Sequence, residues 1–145
     1  MKITIEEIGR DSEEEIILRC HEVNDSMLDM VRQLRALQTG LAGYRDGEIH
    51  KLSFDDIYYF EVVDSKSFFY CREEVFESRL KLYEFEELCR GTGFFRASKS
   101  MIVNSDKIDY VSPSFSGRFE AALENGEKVM VSRQYVGVLK EIMGL

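Results

Sequence analysis

Proline is nearly absent from this chain. Pro113 is the single one in 145 residues, which excludes a proline-rich linker. Cysteine is sparse and odd in number: Cys20, Cys71 and Cys89 lie far apart, with no CxxC pair and no Cys/His cluster. A zinc site is therefore not expected, and reduced thiols in the cytoplasm are. Histidine is limited to His21 and His50. Neither belongs to a recognisable nucleophile–base pair, so the chain carries no visible catalytic set and is expected not to be an enzyme. No apolar run approaches the roughly 20 residues a membrane helix needs. The first residues, Met1-Lys2-Ile3-Thr4-Ile5-Glu6-Glu7, alternate and turn acidic, unlike a signal peptide. These absences leave no metal, cofactor or membrane partner to expect.

What is present is a soluble balance: 44% hydrophobic and 32% charged residues, with ten Phe and seven Tyr that favour β structure. The net charge is −8. An acidic surface repels a polyanion at long range, so nucleic-acid binding has to overcome that field. The charge is uneven, however. Residues 1–48 hold six Lys/Arg against eleven Asp/Glu, whereas residues 90–107 hold Arg90, Arg96, Lys99 and Lys107 against Asp106 alone. A local positive patch on an acidic body is the reading this supports.

Hydropathy patterning divides the chain in two. In residues 1–45, the runs 2–8 and 14–22 alternate around a Gly9–Ser12 turn and predict a β-hairpin. Asn24 or Asp25 caps the next segment, where Met27, Met30, Val31, Leu34 and Leu37 recur every three or four residues up to Gly40. That is an amphipathic helix. Its apolar stripe serves either as core or as a surface for a partner. Forty-five residues are too few to hold a large core alone, so this part is expected to be a dimerisation or docking element.

Residues 46–145 change to a period of two. Strands are expected at 57–63, 67–72, 75–79, 101–104, 107–111, 118–123 and 128–131. A helix is expected at 80–90, and a last short one follows Ser132. Asn125-Gly126 between two strands is a strong hairpin signal, because both residues tolerate positive φ. Short strands at regular spacing with few helices predict a mainly β (α+β) fold, a sandwich or barrel.

With no catalytic set, such a domain acts through a surface. In residues 94–104, Arg96 and Lys99 stand with the Ser98 and Ser100 hydroxyls inside what reads as one loop. Such donors can hold phosphate oxygens or reach base edges, or can simply be solvated charges.

Over about 100 residues the chain resembles the LytTR DNA-binding family. The motifs that carry the resemblance occur in the family's order. They are Asp56-Ile57-Tyr58-Tyr59-Phe60-Glu61, the segment Leu80–Leu88, Phe94-Phe95-Arg96-Ala97-Ser98-Lys99-Ser100-Met101-Ile102-Val103-Asn104, Asn125-Gly126, and Val131-Ser132-Arg133. The resemblance implies an elongated β sandwich whose loops enter successive major grooves of double-stranded DNA. It places DNA contacts at Lys66, Ser67 and Phe68, at Arg96, Ser98, Lys99 and Ser100, and at Arg133 and Gln134. Asn104 is implied to brace a turn. Two positions depart from the pattern: Ser98 replaces the family's histidine, and Gln134 replaces a more usual basic residue. Gln134 can still pair with adenine. A transcription regulator acting as a homodimer is the expectation. The alternative is an interaction or ligand-sensing module that has kept the fold and lost DNA.

Overall fold

The computed structural model describes the backbone of residues 1–145 and all side chains except those of Ala36 and Leu37. Ten strands form two antiparallel sheets. The larger comprises β1 (Leu41–Arg45), β2 (Glu48–Leu52), β3 (Tyr59–Val63), β4 (Lys66–Tyr70), β5 (Val75–Ser78), β6 (Phe94–Ser98) and β7 (Met101–Asn104), in the order β2-β1-β5-β4-β3-β7-β6. The smaller comprises β8 (Ile108–Pro113), β9 (Phe119–Leu123) and β10 (Lys128–Val131), in the order β10-β9-β8. Three helices accompany them: α1 (Asp25–Gln38), α2 (Leu82–Leu88) and α3 (Val136–Met143).

The run Tyr58-Tyr59-Phe60 has no polar phase because the large sheet is covered on both faces. Neighbouring residues of a strand point to opposite sides. Phe60 therefore joins Phe69, Phe76, Ile102 and Phe85 of α2 in one core, while Tyr59 joins Phe95, Val103, Val131 and Leu139 of α3 in another. Asn104, at the end of β7, is only 2% exposed. Its Nδ2 donates to the Ile57 carbonyl at 2.9 Å and its Oδ1 accepts from the Asp106 amide at 3.1 Å. It braces the turn, as expected.

The turns follow residue chemistry. Asp64 and Ser65, at φ 50° and 65°, form the two-residue link between β3 and β4. Gly126, at φ 89°, closes the link from β9 to β10. The left-handed Asp64–Ser65 pair matches the twist of the strands it joins; of Asn125-Gly126, Gly126 alone takes a positive φ.

The N-terminal hairpin is not there. Residues 2–8 and 14–22 form no strand, although the turn between them closes with the Ser12 amide donating to the Gly9 carbonyl at 3.0 Å. A two-stranded hairpin is marginal by itself. Here its arms would also set Glu6 and Glu7 beside Glu13, Glu14 and Glu15, like charges that oppose pairing. The expected helix does form, capped by Asn24 Oδ1 accepting from the Met27 amide. It rests on α2 and the segment beyond it: Gln33 donates to the Gly91 carbonyl, and Arg32 pairs with Glu87.

Three strands went unforeseen. β1 and β2 hold a glycine and only short apolar runs, and β1 already belongs to the large sheet through Tyr44, paired with Glu77. β6 has the look of a loop in sequence because Arg96 and Ser98 are polar. Among the described residues, no helix is long and apolar enough to cross a membrane.

Candidate nucleic-acid interface

At one end of the large sheet, the turns β3–β4 and β6–β7 lie side by side. The Val62 amide donates to the Ser100 carbonyl at 2.9 Å and ties them together. The β6–β7 turn has an unusual entrance. Arg96 pairs with Ile102 and Ser98 with Met101, so Ala97 is an extra residue, a bulge. A bulge frees backbone groups from the ladder and re-aims them. The Ala97 carbonyl accepts from the Ser132 amide at 2.8 Å. This bond docks the 3-10 turn Arg133–Tyr135, at the end of β10, against the β6–β7 turn.

These elements, with the β8–β9 turn, enclose an open groove of about 820 Å³ lined by Ser98, Lys99, Ser100, Ser116, Arg118, Ser132, Arg133 and Gln134. Five of the residues expected from sequence are thus brought together: Ser98, Lys99, Ser100, Arg133 and Gln134. Ser116, Arg118 and Ser132 join them without having been anticipated. Ser132 stands beside the quoted Arg133. Ser116 and Arg118 carry no local motif, since a lone Arg before a strand has no signature.

The remaining expected residues divide. Lys66 is exposed at the start of β4, next to the β3–β4 turn. Ser67 is only 8% exposed. It shares the strand phase of the fully buried Phe69, so alternation turns it inward. Phe68 is half-buried, with its ring 6.4 Å from that of Tyr70.

Arg96 is occupied by the protein itself. Its Nε donates to the Ser98 carbonyl and its Nη2 to the Lys99 carbonyl, both at 2.7 Å, while Nη1 reaches Glu86 of α2 at 2.9 Å. Its guanidinium carbon also lies 6.0 Å from the centre of the Tyr135 ring. Arg96 therefore shapes the turn that presents Lys99. Ser98 acts in the same way, its hydroxyl accepting from the Ser100 amide at 3.2 Å. Replacing Arg96 with Lys keeps the charge but loses the planar fork. The expected result is a loss of target binding of about 1.5–3 kcal/mol, the worth of bonds to a charged donor, with an unchanged salt slope. A reduced slope in a salt-dependent titration would instead make Arg96 a phosphate ligand.

Ion pairing separates the groove's cations from the neighbouring cations in the sequence. The positive stretch 90–107 is mostly neutralised, because Arg90 pairs with Glu87, Arg96 with Glu86 and Lys107 with Asp55. Among the described residues, Lys66, Lys99, Arg118 and Arg133 form no ion pair. Charges left unpaired at one end of an acidic molecule form a local positive field. No cysteine lines the groove; Cys89 is buried, and burial pushes the Cys71 thiol up to about 11. Among the described residues, no cluster of His, Cys, Asp and Glu could hold a metal ion.

Comparison with known proteins bears on the family and the fold. The family described as the LytTr DNA-binding domain matches residues 47–144. An uncharacterized HTH-type transcriptional regulator of Staphylococcus aureus (strain bovine RF122 / ET3-1) is 27% identical over 147 residues, spanning 100% of this chain and 99% of that protein. The sensory transduction protein LytT of Enterococcus faecalis is 31% identical over 100 residues, which is 69% of this chain and 41% of that protein. A solved LytTr DNA-binding domain from Bacillus cereus superposes with a TM-score of 0.69 at 26% identity, covering 74% of this chain and 98% of that one.

Proposed function

Because this chain belongs to the LytTR DNA-binding family, we propose that it is a DNA-binding transcription regulator whose turns enter successive major grooves of a duplex. Lys99 and Arg133 read base edges, Gln134 adds an amide suited to adenine, and Lys66 holds a phosphate. One observation carries this reading: cations without ion-pair partners share a groove with serine and amide donors, while the rest of the molecule is acidic. The Arg96 and Ser98 side chains support the reading turn from within. Ser67 is buried and makes no direct contact, and the half-buried Phe68 packs at its edge.

The test is a mobility-shift titration at modest salt, using duplexes selected from a random pool. Lys99→Ala and Arg133→Ala should each weaken target binding by about 1–3 kcal/mol, with little effect on scrambled sequence. Both residues are exposed, so both variants keep the fold. Wild-type affinity in both would overturn the site. The negative net charge further predicts weak non-specific binding, read as early elution from heparin when salt rises.

The chain acts as a cytoplasmic homodimer in this proposal, held through its N-terminal part. Ile3 and Ile5 are 88% and 91% exposed, and Ile16 and Ile17 are 64% and 60% exposed. These are strand-patterned arms that find no strand partner within their own chain. A second copy supplies one.

A further inference from the structure

We propose that the turn Ser114–Arg118, between β8 and β9, is a further DNA-contacting element, with Arg118 engaging a backbone phosphate at the flank of the groove. The proposal rests on the DNA-binding reading above and adds a contact that neither the sequence nor the family motifs indicated.

Four observations carry it. Ser116 and Arg118 line the same groove as Lys99 and Arg133. The turn is held by its own backbone, the Ser114 amide donating to the Arg118 carbonyl at 2.8 Å. It also contains two successive left-handed residues, Ser116 at φ 62° and Gly117 at φ 73°. A serine in that region is uncommon, and strain of this kind concentrates where a loop must hold one shape for binding. Third, Gly117 lies directly against Arg133: a Cβ at 117 would come within 2.9 Å of the Arg133 Cδ and 3.1 Å of its Cγ. The turn is thus the shelf on which the Arg133 stem rests. Fourth, Arg118 is exposed and, among the described residues, has no carboxylate partner.

A phosphate fits this position better than a base edge. Arg118 lines the groove one residue beyond Gly117, against which the Arg133 stem packs, so it flanks the proposed base-reading side chain. An arginine fork pairs bidentately with phosphate oxygens, and the Ser116 hydroxyl adds a neutral donor beside it.

The experiment uses the full chain, with Arg118→Ala and Arg118→Lys measured on a selected target duplex and on a scrambled duplex over a series of salt concentrations. Arg118→Ala should weaken both by the same factor, about tenfold, and should lower the slope of log K against log salt by about 0.9. Arg118→Lys should keep the wild-type slope. Unfolding midpoints equal to wild type would confirm that the fold is intact. Wild-type affinity and slope in Arg118→Ala would overturn the proposal, as would a loss confined to the target duplex, which would make Arg118 a base reader. If the wild-type chain itself shows no salt-reversible binding, the DNA-binding reading falls and this contact falls with it.

Discussion

Removing residues 1–24 is expected to lower the apparent affinity for a target with two half-sites by about 10²- to 10⁴-fold, the range by which tethering two sites exceeds either alone. The cut takes the α1 cap Asn24 but ends well before Leu41, where β1 enters the large sheet, and no residue that lines the groove is touched. The same truncation should halve the mass measured by light scattering. Binding to a single half-site should change little, because no groove residue is removed. Salt gives a second signature. Residues 1–24 hold seven carboxylates against three cations, so added salt screens repulsion between two such arms and strengthens the dimer. It weakens DNA contacts at the same time. Unchanged mass together with unchanged two-site affinity would remove the N-terminal part from the mechanism.

Phe85→Ala is expected to cost about 3–5 kcal/mol of folding stability. Phe85 is fully buried, and it is the one residue of α2 that is. Its ring centre lies 4.6 Å from that of Phe60, 5.4 Å from Phe69 and 5.5 Å from Phe94. Truncation opens a cavity between α2 and the sheet and loses four aromatic contacts at once, the fourth being the stacked Phe54 ring at 6.1 Å. Against a total stability of about 5–15 kcal/mol, the loss approaches the margin of folding at body temperature. Urea unfolding reads it as a lower midpoint with an unchanged slope. Phe115→Ala is the control: that ring is 78% exposed, and the change should stay within about 0.5 kcal/mol. A shift under about 1 kcal/mol for Phe85→Ala would mean that α2 is peripheral to the core. Because α2 also carries Glu86, the partner of Arg96, the same variant should weaken target binding near its unfolding midpoint.

The sequence announced the β domain through features that act locally. Short β-prone runs mark β3, β4, β9 and β10, and Asn125-Gly126 marks a turn that Gly126 closes at positive φ. Local signals misled where the deciding partner was distant or missing. The arms 2–8 and 14–22 have a strand's alternation, but alternation describes a face and supplies no neighbour to pair with. Conversely, β6 lies between polar side chains yet is a strand, because β7 and the Ser132 amide satisfy its backbone. The site divides in the same way. The motifs point to Lys99 and Arg133, which the fold brings into one groove. Ser67 could have been dismissed from its phase with Phe69. Arg96 looked like a ligand for DNA because a cation in a serine-rich segment carries no sign that two carbonyls and Glu86 already hold it. Arg118 was invisible, since only the fold brings the β8–β9 turn beside Arg133.

The bonds from Arg96 end on the carbonyls of Ser98 and Lys99, atoms common to every amino acid. The outline of that turn is consequently independent of which side chain is mounted at position 99. On the proposed reading of Lys99 as a base contact, exchanging that single tip retunes target preference with the socket left intact. A panel of position-99 replacements should yield regulators of altered operator choice and near-constant thermal stability.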